Sequence, residues 1–265
     1  MVTTAMDRTF GGSLRRWRAA RGMSQERLAE AAEVSTRHLS FLETGRSQPS
    51  REMVLVLANA LDLPLRERNG LLSDAGFAAV YREAAWGSSA MQPIERALDH
   101  LLATHEPFGA IVVDRHWNVR RMNAGAIRMF SYFWPPDVAM PTNLAAAVFA
   151  PPARSIIVGW ERVAAVLVPR FLREAAAEPE LLAMLETILA APDVPESVRK
   201  PRWDAPLEPT LVIELRRGDV TARFFTTITT LGTPLDVTAE SVRIESYFPA
   251  DAATDAWVRA LATQR

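Results

Sequence analysis

Met23-Ser24-Gln25-Glu26-Arg27-Leu28-Ala29-Glu30-Ala31-Ala32-Glu33-Val34-Ser35-Thr36-Arg37-His38-Leu39-Ser40-Phe41-Leu42-Glu43-Thr44-Gly45-Arg46 reads as two short helices joined by a tight turn. Ser24 and Ser35 each precede a helical pattern, where a hydroxyl oxygen can accept from an unpaired N–H of the first turn. Leu28, Ala29 and Ala32 share one face of the first helix, and Leu39 and Leu42 one face of the second, so the two helices need a common core. The small residues Ala29 and Ala32 allow close approach. This is the geometry of a helix-turn-helix, whose second helix enters the major groove of DNA.

The outward residues of the second helix suit that task. Thr36, Arg37, Ser40 and Phe41 offer hydroxyls, a guanidinium able to bind guanine bidentately, and a ring suited to a thymine methyl. Gln25 opens the first helix, where a side-chain amide and the helix N-terminus can together hold a phosphate. Residues 8–51 hold nine arginines against four glutamates, a net of +5, while the whole chain carries only −1. The basicity is local, as an electrostatic footprint on DNA would be. Arg15 and Arg46 belong to it.

Working outward, a first helix is expected over Ser13–Arg21 and stopped by Gly22, with residues 1–11 loose. A fourth helix, Arg51–Leu61, is capped by Ser50, and a fifth follows Pro64 as an N1 proline and ends near Gly76. These five helices form an all-α domain over 8–76. Residues 77–92 lose periodicity and read as a linker. From 93 the pattern changes: a helix, a strand Ala110–Asp114, a turn, a strand Trp117–Asn123, and a helix capped by Asn123. A helical stretch broken by prolines, 124–205, precedes strands at Leu211–Leu215, Val220–Thr230 and Val242–Phe248. A last helix is expected over Asp251–Leu261. The fold class is multidomain: the five-helix domain, then an α+β domain over 93–265 with an antiparallel five-stranded sheet and a large helical insertion.

Composition narrows the function. The chain has 265 residues, 49% hydrophobic, and no cysteine, which excludes disulfides and thiolate chemistry. No apolar run approaches the roughly 20 residues a membrane span needs, and no signal-peptide pattern opens the chain, so a cytoplasmic protein with no membrane partner is expected. Of 30 basic residues only Lys200 is lysine. His38, His100, His105 and His116 form no metal-ligand spacing, and no nucleophile elbow or phosphate-binding glycine loop occurs. The expectation is a non-enzyme without metal or cofactor. Asp114-Arg115-His116 reads as a hairpin turn in which Asp114 bonds local backbone N–H groups.

Ser24-Gln25-Glu26-Arg27-Leu28-Ala29 with Val34-Ser35 and Glu43-Thr44-Gly45-Arg46 resembles the Xre, lambda-repressor-like, helix-turn-helix family. The likeness implies a phosphate contact by Gln25 and base reading by the start of the second helix. Glu33 departs from it, standing where the family often has glycine. Behind it, Glu106-Pro107, Val113-Asp114-Arg115-His116-Trp117-Asn118-Val119, Asn143-Leu144, Trp160, Gly232-Thr233-Pro234-Leu235-Asp236-Val237-Thr238 and Glu245-Ser246-Tyr247-Phe248-Pro249-Ala250-Asp251 resemble the ligand-binding domain of MmyB-like regulators. That likeness implies a PAS-like sensor for small apolar ligands such as fatty acids. At Ala150-Pro151-Pro152 the acid often found before the proline is missing.

Two readings of the second domain follow. In one, an apolar ligand lies in a cavity lined by Phe130, Leu144, Val148, Ile157, Trp160, Ala222, Phe224, Thr226 and Ile228, with Arg154 placed to pair with a ligand carboxylate. In the other, the same residues are closed core and the domain is a ligand-free module for dimerisation or protein contact, for instance with RNA polymerase. Both leave a homodimeric regulator of a double-stranded DNA operator, because one recognition helix reads too few base pairs alone.

Overall fold

The structure, a computed structural model, describes residues 9–176, 178–200 and 210–263. The end of the expected helical stretch, 201–205, lies outside the described residues, as do residue 8 and the last two residues at the expected domain limits. In chain order the elements are α1 (Phe10–Ala20), α2 (Gln25–Ala31), α3 (Thr36–Glu43), α4 (Arg51–Ala60), α5 (Leu65–Asp74), α6 (Gln92–Thr104), β1 (Ala110–Val113), β2 (Val119–Met122) and α7 (Ala124–Phe133). There follow α8 (Leu144–Phe149), α9 (Pro151–Ile156), α10 (Trp160–Ala175), α11 (Pro179–Ala190), α12 (Glu196–Arg199), β3 (Val212–Arg217), β4 (Val220–Thr230), α13 (Val237–Glu240), β5 (Arg243–Pro249) and α14 (Ala252–Thr263).

The chain divides into two compact units. The first runs to Ser88 and takes in Gly232–Glu240; the second is Ser89–Leu231 with the remainder from Ser241. In the first, Leu14, Leu28, Leu39, Leu42, Val54, Leu57 and Leu72 meet in one core. The expected caps form: Ser24, Ser35 and Ser50 each accept from the backbone N–H three residues on. Pro64 is the cap of α5 rather than its first residue.

Helix α1 starts earlier than its sequence suggests. Phe10 and Gly11 are helical and buried, and Thr9 is the cap. A Cβ on Gly11 would lie 2.6 Å from the carbonyl oxygens of Leu42 and Glu43, so the glycine lets α1 touch the end of α3 backbone to backbone. Glu33 has φ of 54°, in the left-handed region, at a strain of roughly 1 kcal/mol for a residue with a Cβ.

Residues 77–88 are not slack. The Asn69 side chain accepts from the N–H groups of Val80 and Tyr81 and donates to the Tyr81 carbonyl. Further along, Arg82 pairs in parallel with Asp236, Val237 N–H donates to the Arg82 carbonyl at 2.8 Å, and Ala84 N–H donates to the Asp236 carboxylate. The Glu240 carboxylate accepts from Leu65 N–H at 2.7 Å, at the start of α5. The connection between β4 and β5 is thereby built into the unit that holds the helix-turn-helix.

The second unit is a five-stranded sheet in the order β2-β1-β5-β4-β3, antiparallel throughout. Helices α7–α10 pack on one face, with Trp117, Phe133, Phe149, Trp160, Phe171 and Phe224 in the shared core. Trp117, expected to open β2, instead sits in the turn with φ of 66° and is buried. Asp114 shapes that turn: one carboxylate oxygen accepts from His116 and Asn118 N–H, and the other binds Arg120.

Candidate DNA-binding face and ligand cavity

On α3 the buried side is Leu39, Leu42 and Glu43, leaving Thr36 and Arg37 exposed and Ser40 and Phe41 half-buried. The Arg37 guanidinium lies 5.4 Å from the centre of the Phe41 ring and that of Arg46 at 6.0 Å. Phe41 therefore orders two cations on the same face, a role beyond contact with a thymine methyl. Arg15 and Ser24 are exposed as well, although the Ser24 and Ser35 hydroxyls are engaged as caps.

Beneath this face lies a polar hub. The Glu43 carboxylate receives Arg18 Nε at 2.6 Å, Arg18 Nη2 at 3.0 Å and Gln25 Nε2 at 2.7 Å. Arg18 Nη1 also donates to the Met23 carbonyl. The Glu43 hydrogen bond raises the already high pKa of Arg18. One buried carboxylate thus fixes α1, the start of α2 and the end of α3 together. Gln25 holds the N-terminus of α2 at the surface with its amide turned to Glu43.

In the second unit the space between sheet and helices has two arms. The first, about 90 Å³, is walled by apolar side chains that include Phe130, Phe133, Trp134, Ala147, Ile156 and Phe224. The second, about 270 Å³, is polar at its end, where Arg170, Thr226, Glu245 and Tyr247 meet Trp117, Leu167 and Phe171. Leu144, Val148, Ile213 and Tyr247 border both arms. Burial pushes the Glu245 carboxyl above its ordinary range, opposed by the Arg170 charge and a hydrogen bond from Thr226. Burial likewise raises Tyr247 well above 10.0, so its phenol stays protonated.

The family described as the MmyB-like transcription regulator ligand binding domain matches residues 94–261, well over half of the chain, and a helix-turn-helix family matches residues 14–68. The chain belongs to the MmyB-like transcription regulators. It is a helix-turn-helix transcription regulator with a C-terminal domain of ligand-binding type. Similar curated proteins include the transcriptional regulator ClgR of two Mycobacterium tuberculosis strains, CDC 1551 / Oshkosh and H37Rv. Each is 38% identical over 66 residues, 25% of this chain, and the match spans 56% of the length of those relatives.

In this MmyB-like regulator, six of the residues expected around a ligand line the two arms: Phe130, Leu144, Val148, Ile157, Phe224 and Thr226. Four do not. Ala222 is fully buried in the core, and Ile228 packs against it. Trp160 is buried with its indole N–H given to the Val148 carbonyl at 2.7 Å, tying α10 to α8. Arg154 lies over the Trp160 ring at 4.9 Å and bonds Asp193 at 2.8 Å, so its charge is spent away from the arms. The guanidinium at the cavity is Arg170, which sequence reasoning missed together with Glu245 and Tyr247. Among the described residues no helix is long and apolar enough to cross a membrane, and no group of three metal-ligating side chains assembles.

Proposed function

We propose that this regulator binds its operator as a homodimer through α3 and that a small apolar ligand between sheet and helices of the second unit alters that binding. The observation that carries the sensor reading is the pair of neighbouring pockets, one oily and one with polar lining, that share Leu144, Val148, Ile213 and Tyr247 on their walls. A ligand-free dimerisation module needs no such space, because protein interiors are otherwise packed to crystal-like density. Native mass spectrometry of the full chain tests both parts at once. The expected spectrum is a dimer carrying extra mass that organic extraction removes; a dimer of bare chain mass under every condition favours the dimerisation-module reading.

On the DNA side, Arg37 is proposed as a base reader and Gln25 as a residue that sets the phosphate-facing end of α2. Arg37→Ala is expected to cost about 1–3 kcal/mol on operator DNA and much less on scrambled DNA. Gln25→Ala should weaken both alike, because phosphate contacts carry no sequence information. Titration of each variant against the two duplexes reads the difference. Equal losses for Arg37→Ala would remove it as a base reader.

Ala147 lines the apolar arm from α8 and is buried. Ala147→Leu puts a branched chain into a space of only about 90 Å³. The expected result is lost ligand uptake and lost ligand response on DNA, with stability lowered by about 1–3 kcal/mol at most. Retained ligand mass in the variant would place the binding site elsewhere.

A further inference from the structure

Helix α7 carries two apolar stripes. Ala126, Met129 and Phe133 are buried in the core, while Ile127, Phe130, Ser131 and Trp134 follow at intervals of three and four residues along another side. That second stripe walls a groove of about 380 Å³, completed by Met122 of β2 and by Pro135, Pro136, Val138 and Met140 from the segment after α7. Among the described residues lining it, Ser131 alone is polar. Ile127 is 53% exposed and Val138 40%. Exposed apolar side chains gathered in a concave place, rather than scattered singly, mark a surface that meets another apolar body.

The groove backs onto the apolar arm: Phe130, Trp134 and Met140 are on the walls of both. Two of the three are held. The Phe130 ring meets the Tyr247 ring edge-on at 5.8 Å, and the Trp134 indole N–H donates to the Val138 carbonyl at 2.9 Å. The backbone is held as well, since Pro135, Pro136 and Pro141 fix their own φ and the Thr142 carbonyl accepts from Val119 N–H at 2.8 Å. Met140 lies between those anchors, half-buried, with an unbranched thioether chain that turns about several bonds. Rotating it needs no backbone movement.

We infer that this groove is the port by which an apolar ligand reaches the apolar arm, and that the Met140 side chain is its gate. The inference rests on the sensor reading above and adds the route to the site. Entry through the sheet would break ladder hydrogen bonds, each costly to leave unmade, whereas entry beside α7 displaces one thioether chain. Ile127 and Val138 line the groove and not the arm, so they meet the ligand only in passage. A group added there leaves the free and bound states as they were, and therefore changes the rates of uptake and release by the same factor.

The chain has no cysteine, so one introduced by Ile127→Cys takes N-cyclohexylmaleimide at that place alone. The probe is N-phenyl-1-naphthylamine, a neutral dye that brightens on leaving water, mixed by stopped flow with full chain that has been passed over a hydrophobic resin. Labelled Ile127→Cys should take up and release the dye about tenfold more slowly than the unlabelled variant at the same dissociation constant, and Met140→Ala should do both faster. Val138→Cys, labelled likewise, repeats the test should the first variant fail to fold. Unchanged rates in the labelled protein overturn the port and leave the sensor reading standing. If the label also splits a dimer, a second copy is what the groove meets. A native chain that takes up no dye removes the sensor reading and this inference with it.

Discussion

Arg18→Ala should destabilise the helix-turn-helix unit by about 3–5 kcal/mol, the cost of stranding one member of a buried ion pair. The side chain left behind is Glu43, 2% exposed, which would lose two of its three donors. Water cannot replace them without opening the contact between α1 and α3, where Gly11 brings the two backbones together. Arg18→Lys should recover little, because a single ammonium cannot reproduce the forked pair of bonds. Arg18→Met combined with Glu43→Leu should recover much of the loss, as apolar replacements of buried pairs often do. Urea unfolding followed by circular dichroism reads all three. A loss under about 1 kcal/mol for Arg18→Ala would mean the pair behaves as a surface salt bridge. Operator affinity should fall with stability here, since Glu43 also holds Gln25 and terminates α3.

Gly125→Ala should cost the second unit about 3 kcal/mol or more. A Cβ at that position would lie 2.4 Å from the Pro107 carbonyl oxygen and 2.5 Å from that of Phe108, and both obstacles are backbone. Neither can swing aside. The start of α7 is held in place by Asn123, whose side chain accepts from Ala126 and Ala110 N–H and donates to the Leu102 and Phe108 carbonyls. Helix α7 must therefore shift bodily, and it carries Phe130 and Phe133 of the apolar arm. Thermal unfolding should show the lower transition, and ligand mass should fall in the same variant. An unchanged melting temperature would mean that α7 is free to slide, contrary to the cap.

Caps and the helix-turn-helix were legible because their chemistry is local: Ser24, Ser35, Ser50 and Asn123 act within three residues of themselves. Features set by distant packing were not. Glycine lowers helix propensity, so the stretch through Phe10-Gly11 reads as loose, and the approach of α3 explains why a helix starts there. In β5 the alternation of Arg243, Glu245 and Tyr247 with Ile244, Ser246 and Phe248 suggests that the second set faces the core. Ile244 is indeed buried, but so are Glu245 and Tyr247, because the middle strand of this sheet is covered on both sides. Nothing in the sequence around Arg154 or Arg170 tells which of the two reaches the cavity; that depends on where Asp193 and Glu174 stand.

The nine residues from Gly232 to Glu240 make the DNA-binding unit impossible to excise with a single cut. A fragment ending at Ser88 would keep every helix of the motif yet lose Val237 and Ala239, both buried, and the Glu240 carboxylate at the head of α5. Weak DNA binding by such a fragment would then report a gap in its own body as well as a missing partner. The same continuity works in the other direction. The chain enters these nine residues from the strand that carries Thr226 and leaves them into the strand that carries Glu245 and Tyr247, three residues on the wall of the polar arm. Freeing the helix-turn-helix unit whole therefore takes a cut after Ser88 and one at each end of this loop.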